Sequence, residues 1–494
     1  MKSIIISTIS KNHSNPDIDI KKIFKVLLMS IIMFSILLLH NSIRILKDSI
    51  IIQDFGAEAI SFIKLWLEIP FVTCFVLVYY WLYNWFSVEK IFRVIILFYI
   101  GFYLLFAFEI YPNKSHYHLN YNTLVYMTNM FPNLKWFLII LGNWSITLFY
   151  LFGETWSTVA FSLLFWQLAN RITSLNESKI IYPYFNFLGQ INLLIAGYIV
   201  QNIYKSFIVY SFLSTNNIKL INLQSIVILV SFLGFLIVLS HYLLEKVVLK
   251  NQFDLLNNQS NTKKMGVFES IKMVTKHRTL TLISLSIISY HICMNLIEGI
   301  WFAKVWEFYI SSEKFISYQG KVLFYTGICG IAFAVLSKYL LSHFKWLVSA
   351  IITPYIVLTL GTAFFVSILL VSYFEFNENY YLYIVVLIGL IQNVLIKGSK
   401  YGIYDSVKEM QYIPLDDNIK SRGKAAVDVI STNLGKSLGS LCQFTVFFTF
   451  PSVRINDIVI ILMIFFLLSS FVWINVTYKL SEMIDTERSL INRG

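Results

Sequence analysis

Four ionisable side chains stand where a charge is expensive. Lys64 lies in AISFIKLWLEIPFVTCF, Glu154 in WSITLFYLFGETWSTVAFSLLFW, Glu298 in SIISYHICMNLIEGIWFAKVW and Lys436 in VISTNLGKSLGSLCQFTVFF. Near the centre of a bilayer a charge costs at least about 2.5 to 3.5 kcal/mol on insertion scales, so it is kept where it faces a cavity or a partner. Lysines placed this way neutralise an anionic solute, and glutamates orient the lysines or accept a coupling ion. Ion pairs that merely join helices are the competing reading. Lys64 precedes Glu68 by four residues, a spacing that suits an intrahelical pair, and Lys400 offers Glu154 a partner of opposite sign. Two lysines and two glutamates spread over four apolar segments fit a central polar cavity for a charged solute better than local pairs do.

The elements that hold these charges follow from composition. The 494 residues are 57% hydrophobic and 13% charged, and mean hydropathy is +0.68, more apolar surface than a water-soluble fold hides. Apolar runs of about 20 residues, each able to cross roughly 30 Å of hydrocarbon as a helix, recur along the chain. The first six lie near residues 24–46, 59–84, 91–111, 135–170, 183–204 and 223–244. The second six lie near 279–303, 322–342, 347–373, 380–400, 426–450 and 455–479. Strand alternation is absent from these runs, which excludes a β-barrel. The expectation is an all-α membrane protein with about twelve transmembrane helices in two six-helix halves. Its divisions are an N-terminal tail (1–22), a first half (23–245), a linker (246–278), a second half (279–480) and a C-terminal tail (481–494). The 135–170 window is longer than one crossing needs, and Gly153 would let it bend, though the sequence does not place the bend. In the linker, Met265, Phe268 and Ile271 share one helical face and Lys272 and Lys276 another, the pattern of a helix lying along a membrane surface.

The formal charge of +12 is distributed over alternate loops and helix ends and is not a nucleic-acid footprint. Lys90, Arg171, Lys179, Lys246, Lys250, Lys263, Lys264, Lys338 and Lys345 fall on the same side as both tails, so both termini are expected in the cytoplasm. The N-terminal 22 residues carry Asp17 and Asp19, unlike a transit peptide, and their apolar stretch is too short for a cleavable signal. Cys74, Cys293, Cys329 and Cys442 sit in apolar runs without metal-ligand spacing and read as buried hydrophobes.

Aromatic residues make up 17% of the chain, mostly as lipid-facing or interfacial rings. Trp144, Trp156, Trp301 and Tyr401 share helices with the buried charges and are candidates to stack on a planar base. The GKS at Gly435–Ser437 is not a P-loop, because Ile430 stands where the earlier glycine belongs and no strand precedes it. No nucleophilic, acid–base or metal-binding constellation appears. A membrane enzyme acting through the Tyr401–Asp428 loop is therefore a remote alternative, and no cofactor or metal is expected.

Four stretches carry a family likeness: LKDSIIIQDFGAEAISFIKLW (46–66), LLFWQLANRIT (163–173), MNLIEGIW (294–301) and KYGIYDSVKEMQYIPLDDNIKSRGKAAVDVI (400–430), the last followed by LGKSLG. Through them the chain resembles the ATP/ADP translocase family of nucleotide transporters found in obligate intracellular bacteria and plastids. The resemblance implies a twelve-helix fold similar to the major facilitator superfamily, a bacterial inner membrane, and exchange of ATP for ADP by alternating access. It carries substrate-binding charges onto Lys64, Glu154, Glu298 and Lys436, the four picked out by depth. The chain departs from the family pattern at Phe302, where a basic residue is common, and at Gly153 and Thr155 around Glu154. Proton-coupled or exchange transport of GTP, CTP, UTP or other organic anions is the alternative. A monomer with nucleotide substrates, embedded in lipid and without nucleic acid, is expected.

Charge is also dense between Lys397 and Lys436. Lys47, Lys397, Lys400 and Lys408 are candidate phosphate or gate contacts, with Asp405, Glu409 and Asp416 as the carboxylates that hold such lysines when no substrate is bound.

Overall fold

A chain this apolar can leave no backbone amide unpaired in lipid, and closing each hydrogen bond within a helix meets that demand. The structure, a computed structural model, describes residues 16–83, 85–173, 175–202, 218–248, 274–373, 378–412 and 417–491, and the regular structure among them is helical. Ten of the described helices are long and apolar enough to cross a membrane: α1 (Lys21–Asp54), α2 (Glu58–Tyr79), α3 (Val88–Ile110), α4 (Trp144–Ile172), α6 (Lys219–Val247), α7 (Arg278–Tyr309), α8 (Ser312–His343), α9 (Trp346–Leu370), α10 (Tyr380–Met410) and α12 (Ile455–Met483). The remaining long helices are α5 (Leu175–Asn202) and α11 (Asp417–Thr449). The first turns of α11 are too charged for an apolar span, yet they complete the twelve.

Several helices depart from the expected spans in ways that matter for the site. Apolar runs mark α1 only to residue 46, whereas the helix continues to Asp54 and takes Lys47 and Asp48 into the protein. The 135–170 window is two helices, Lys135–Gly142 and α4, broken at Asn143 and not at Gly153. Asn143 leaves helical geometry and its side chain donates to the Ile139 carbonyl at 2.9 Å, a local bond that competes with the helix. The polar stretch at 417–424, read as a loop, is the first part of α11. Cys74 is exposed, unlike its buried-hydrophobe expectation, while Cys293 is buried. The surface helix expected near 265–276 lies largely outside the described residues, as do Pro414 and Asp416.

Packing sorts the helices into two groups. In one, α1 packs on α4, α5 and α6, and α3 packs on α6; in the other, α7 packs on α11 and α12, and α9 on α10 and α12. The groups meet along α5 with α8 and along α2 with α11. At the end that carries Asp54 the two groups are sealed together. Ser49 and Ser312 bring their hydroxyls to 3.3 Å, the Ile455 amide donates to Glu58 Oε1 at 3.2 Å, and Phe62 and Trp66 pack on the Phe444 ring. At the opposite end the ion pairs Lys25–Glu177, Arg171–Glu89, Arg93–Glu245 and Lys408–Asp428 each stay within one group.

π-helical turns interrupt α2 at Ile63–Glu68, α4 at Ser157–Phe165 and α10 at Lys400–Tyr404. Such wide turns are uncommon and gather at functional positions. Two of these contain Lys64 and Lys400, and another begins three residues beyond Glu154; further π-helical turns at Phe106–Ile110 and Leu244–Val248 lie away from the site.

Candidate functional site

Midway along the helices the two groups share a layer of charge. Glu154 on α4 accepts from Lys47 of α1, Nζ to Oε2 at 2.8 Å, and from Lys436 of α11, Nζ to Oε1 at 2.7 Å. Lys47 is withdrawn almost completely, with 2% of its side chain exposed. Its ammonium also reaches Asp48 at 2.7 Å and lies 3.9 Å from the centre of the Tyr150 ring. Gly153 permits this approach: a Cβ there would meet Lys47 Cδ at 2.7 Å and Ile43 Cγ2 at 2.9 Å. On the other side, a Cβ on Gly435 would meet the Ile288 carbonyl of α7 at 2.8 Å, so the small residue before Lys436 lets α11 close on α7. Glu68 of α2 completes the cluster, 3.6 Å from Lys436.

A second carboxylate is arranged in the same way. Glu298 on α7 accepts from Lys397 of α10 at 2.9 Å and from Arg44 of α1 at 3.2 Å. Each central glutamate therefore takes one cation from its own helix group and one from the other. The senses are complementary: α11 of the second group donates to Glu154 of the first, and α1 of the first donates to Glu298 of the second. Removing one partner of a buried pair costs about 3 to 5 kcal/mol, because the other charge is left without compensation. The two bridges each join one group to the other.

Beside the second carboxylate lies a narrow cleft of about 30 Å³, lined by α1 through Asn41, Arg44 and Asp48, by Phe302, by Gln319 and Thr326 of α8, and by Lys397 and Tyr401 of α10. That is well below the roughly 300 to 1,000 Å³ usual for small-molecule sites, so the two groups must part at this level before a nucleotide fits. Cations, a carboxylate, amides and aromatic rings line one space. That combination can hold an anion at Arg44 and Lys397 and a planar apolar group against the rings.

Of the four charges chosen from sequence, Glu154 and Lys436 touch each other, and Glu298 stands in the parallel arrangement. Lys64 makes no ion pair among the described residues; it lies within electrostatic reach of Glu68, Glu154 and Glu298. The suggested local pairs do not form, since Glu68 faces Lys436 and Glu154 takes Lys47 and Lys436 in place of Lys400. Lys400 instead pairs with Asp405 at 3.0 Å, and Lys408 with Asp428 at 2.8 Å and Glu409 at 3.7 Å. Lys397 is separated from that loop cluster by its bond to Glu298.

The aromatic candidates divide. Tyr401 lines the cleft, with Lys400 over its ring at 4.5 Å. Trp301 is buried behind Phe302, its indole 3.4 Å from the Tyr318 hydroxyl, and Lys397 stands 5.6 Å from its ring. Trp156 is enclosed in the first helix group, where it donates to the Ile36 carbonyl. Trp144 is exposed at the start of α4 and donates to the Tyr117 carbonyl. Neither Trp144 nor Trp156 reaches the cleft.

Arg44, Asp48 and Gln319 were not singled out from sequence. A signal for the first two was present: HNSIRILKDSI interrupts an apolar run with Arg44, Lys47 and Asp48 at helical spacing. Ending the span at residue 46 placed these charges at a membrane surface. Gln319 carries no charge and had no comparable signal.

A model described as TLC ATP/ADP transporter matches residues 15–483. "ADP,ATP carrier protein 4" of Rickettsia felis is 38% identical over 473 residues, covering 93% of this chain and 92% of that protein. "ADP,ATP carrier protein 3" of Rickettsia conorii is 35% identical over 466 residues, covering 92% of this chain and 93% of that protein. Among solved structures, a bacterial homologue of the iron transporter ferroportin in an inward-facing state aligns with a TM-score of 0.56 at 13% identity, covering 93% of this chain and 98% of that one. The nucleoside transporter NupG aligns at 0.53 and 12% identity, covering 93% and 99%. These last two likenesses are of fold alone.

Proposed function

The chain belongs to the TLC ATP/ADP transporter family, and from that membership we propose that it exchanges ATP for ADP across a membrane by rocking two six-helix halves about the central layer of ion pairs. It is a multi-pass membrane transporter and not an enzyme. The observation that carries the mechanism is the pair of glutamates, each bridging the halves through one cation: Glu154 through Lys436 and Glu298 through Arg44.

Phosphate oxygens compete with carboxylates for the same donors. A nucleotide entering the cleft takes Arg44 and Lys397 from Glu298, and its remaining charge is drawn toward Lys64 and Lys436. The bridges then run through the substrate and can be remade in the other orientation. An empty carrier has to part Lys436 from Glu154 and Arg44 from Glu298 with nothing to replace them. Each separation leaves buried charge unpaired, so reorientation waits for a second nucleotide and transport is exchange. Swapping one ATP for one ADP moves net charge, and membrane potential biases the direction.

The residues that bind substrate are on this reading Lys64, Glu154, Glu298 and Lys436, joined by Arg44 and Lys397, with Tyr401 against the base. Lys400–Asp405 and Lys408–Asp428 form the gate at the end opposite Asp54. The lysine and arginine distribution supports both termini in the cytoplasm, which turns the sealed end near Asp54 outward, and a bacterial inner membrane as the site of action. The functional unit is one chain.

Purified protein in liposomes preloaded with ATP, ADP, GTP, CTP, phosphate or nothing tests this directly. Labelled ATP is expected to enter only liposomes preloaded with ATP or ADP. Equal uptake into empty liposomes driven by a pH gradient would replace exchange by proton coupling.

A further inference from the structure

Away from the central charge layer, the outer face of the first helix group holds a groove of about 460 Å³ between α3 and α6. Its wall is Phe232, Phe235, Leu239 and Tyr242, spaced three and four apart on one face of α6, and Arg93 of α3 stands at one end. Apolar side chains bared to lipid are ordinary in a membrane-spanning helix. A depression with a basic end is not. Beneath the exposed face the two helices touch, Ile100 against the bare Gly234 and Phe92 stacked on His241 at 4.2 Å, so the groove is floored by protein. From Phe232 to Tyr242 the helix rises about 15 Å, half of the roughly 30 Å of hydrocarbon in a bilayer. The groove is one leaflet deep.

The charged end lies at the end of the molecule opposite Asp54. Arg93 Nη1 donates to Glu245, and a guanidinium has five N–H donors, so one carboxylate does not exhaust it. The Arg93 guanidinium is 5.9 Å and the Lys246 ammonium 4.6 Å from the centre of the Tyr242 ring, which sets both cations around the mouth of the groove. Lys246 is exposed and makes no ion pair among the described residues. Lys90, three positions before Arg93 on the same side of α3, adds a further cation, whereas Glu89 is taken by Arg171. An excess of positive charge remains. Glu245 and Lys246 also stand in the wide π-helical turn Leu244–Val248, a conformation that gathers at functional positions.

A tail of one leaflet's depth joined to a negative headgroup fits both parts. We propose that the groove is a binding site for one anionic phospholipid, its phosphate on Arg93 and Lys246 and an acyl chain along Phe232, Phe235 and Leu239. A zwitterionic lipid such as phosphatidylethanolamine brings its own ammonium to the same end, where the cations repel it. Phosphatidylglycerol does not. The site lies in the first helix group alone, apart from the Glu154 and Glu298 bridges, so it does not depend on which solute the chain carries.

The test is native mass spectrometry of purified protein given equal amounts of phosphatidylglycerol and phosphatidylethanolamine with identical acyl chains. Wild type is expected to retain one phosphatidylglycerol per chain in preference to phosphatidylethanolamine. K246Q leaves the Arg93–Glu245 pair intact and is expected to lower that preference about fivefold, the factor one basic residue supplies beside an anionic lipid. K246R is expected to keep it. L239W fills the groove without touching a charge and is expected to retain neither lipid, and to lose the rise in melting temperature that phosphatidylglycerol gives wild type; its melting without lipid checks that it folds. Excess inorganic phosphate is expected to leave the bound lipid in place. The proposal is overturned if wild type retains both lipids equally, if K246Q keeps the wild-type preference, or if L239W holds phosphatidylglycerol as wild type does. Release of the lipid by phosphate would also overturn it, as would a second copy of the chain covering the groove in place of lipid.

Discussion

Glu154 and Lys436, 282 positions apart in sequence, meet at 2.7 Å across the seam between the two helix groups. The same glutamate is held from its own side by Lys47 at 2.8 Å. A carboxylate gripped by two lysines resists simple charge exchange. E154Q or K436Q is expected to abolish nucleotide exchange, and the E154K/K436E double variant is expected not to restore it, because the new lysine would face Lys47. Recovery of wild-type exchange by the swap would show that the pair acts alone.

Glu298 and Arg44 form the parallel bridge, but here the loss of either partner is unequal. R44Q leaves Glu298 with Lys397 at 2.9 Å, whereas E298Q leaves two cations facing each other. E298Q is expected to lower the melting temperature in detergent well beyond R44Q, in keeping with about 3 to 5 kcal/mol for breaking a buried pair. R44Q is expected to raise the KM for ATP more than that for AMP, since it removes a phosphate contact. A uniform loss of maximal rate with unchanged KM would assign Arg44 a purely structural part.

Lys64 separates transport from stability, because it has no ion pair among the described residues to leave behind. K64A is expected to change melting by no more than a surface substitution does, about 0.5 kcal/mol, while exchange falls steeply. Unimpaired exchange by K64A would remove it from the substrate path.

Gly153 makes room for Lys47 and Ile43. G153A is expected to push the Lys47 chain off Glu154 and to cost about 1 to 3 kcal/mol, the range for overpacking. G153L should insert poorly. Normal melting and exchange in G153A would mean that α1 and α4 separate freely at this level.

Ser49 and Ser312 approach with their oxygens 3.3 Å apart at the sealed end. The S49C/S312C variant is expected to form a disulfide under mild oxidant, since it places two sulfurs where hydroxyl oxygens now lie 3.3 Å apart. Exchange should stop on oxidation and return with reductant, as rocking requires this end to open. Continued exchange by a fully cross-linked protein would exclude that motion.

Much of the design was legible from residue order. Burying a charge in lipid is costly wherever the helix goes, so Lys64, Glu154, Glu298 and Lys436 announced themselves without any knowledge of their neighbours. Helix number and class followed from the lengths of apolar runs, for the same reason. Helix ends were less legible. The extension of α1 to Asp54 and the break at Asn143 depend on what the neighbouring helices cover; hydropathy alone ended α1 too early and left the break unplaced. Local partners misled as well: Glu68 is one turn from Lys64 in sequence, yet it turns to Lys436 on another helix.

The chain's sequence by itself determined that this is a helical membrane protein carrying a few buried charges of both signs, because solvation free energy depends on residue type and depth. The tertiary structure alone decided which charges meet. Coulomb attraction and hydrogen-bond geometry act over a few ångströms, and only the packing of α1 and α4 against α7, α10 and α11 brings residues hundreds of positions apart within that range. The same packing made Arg44 a bridge between halves, which cannot be read from a single helix.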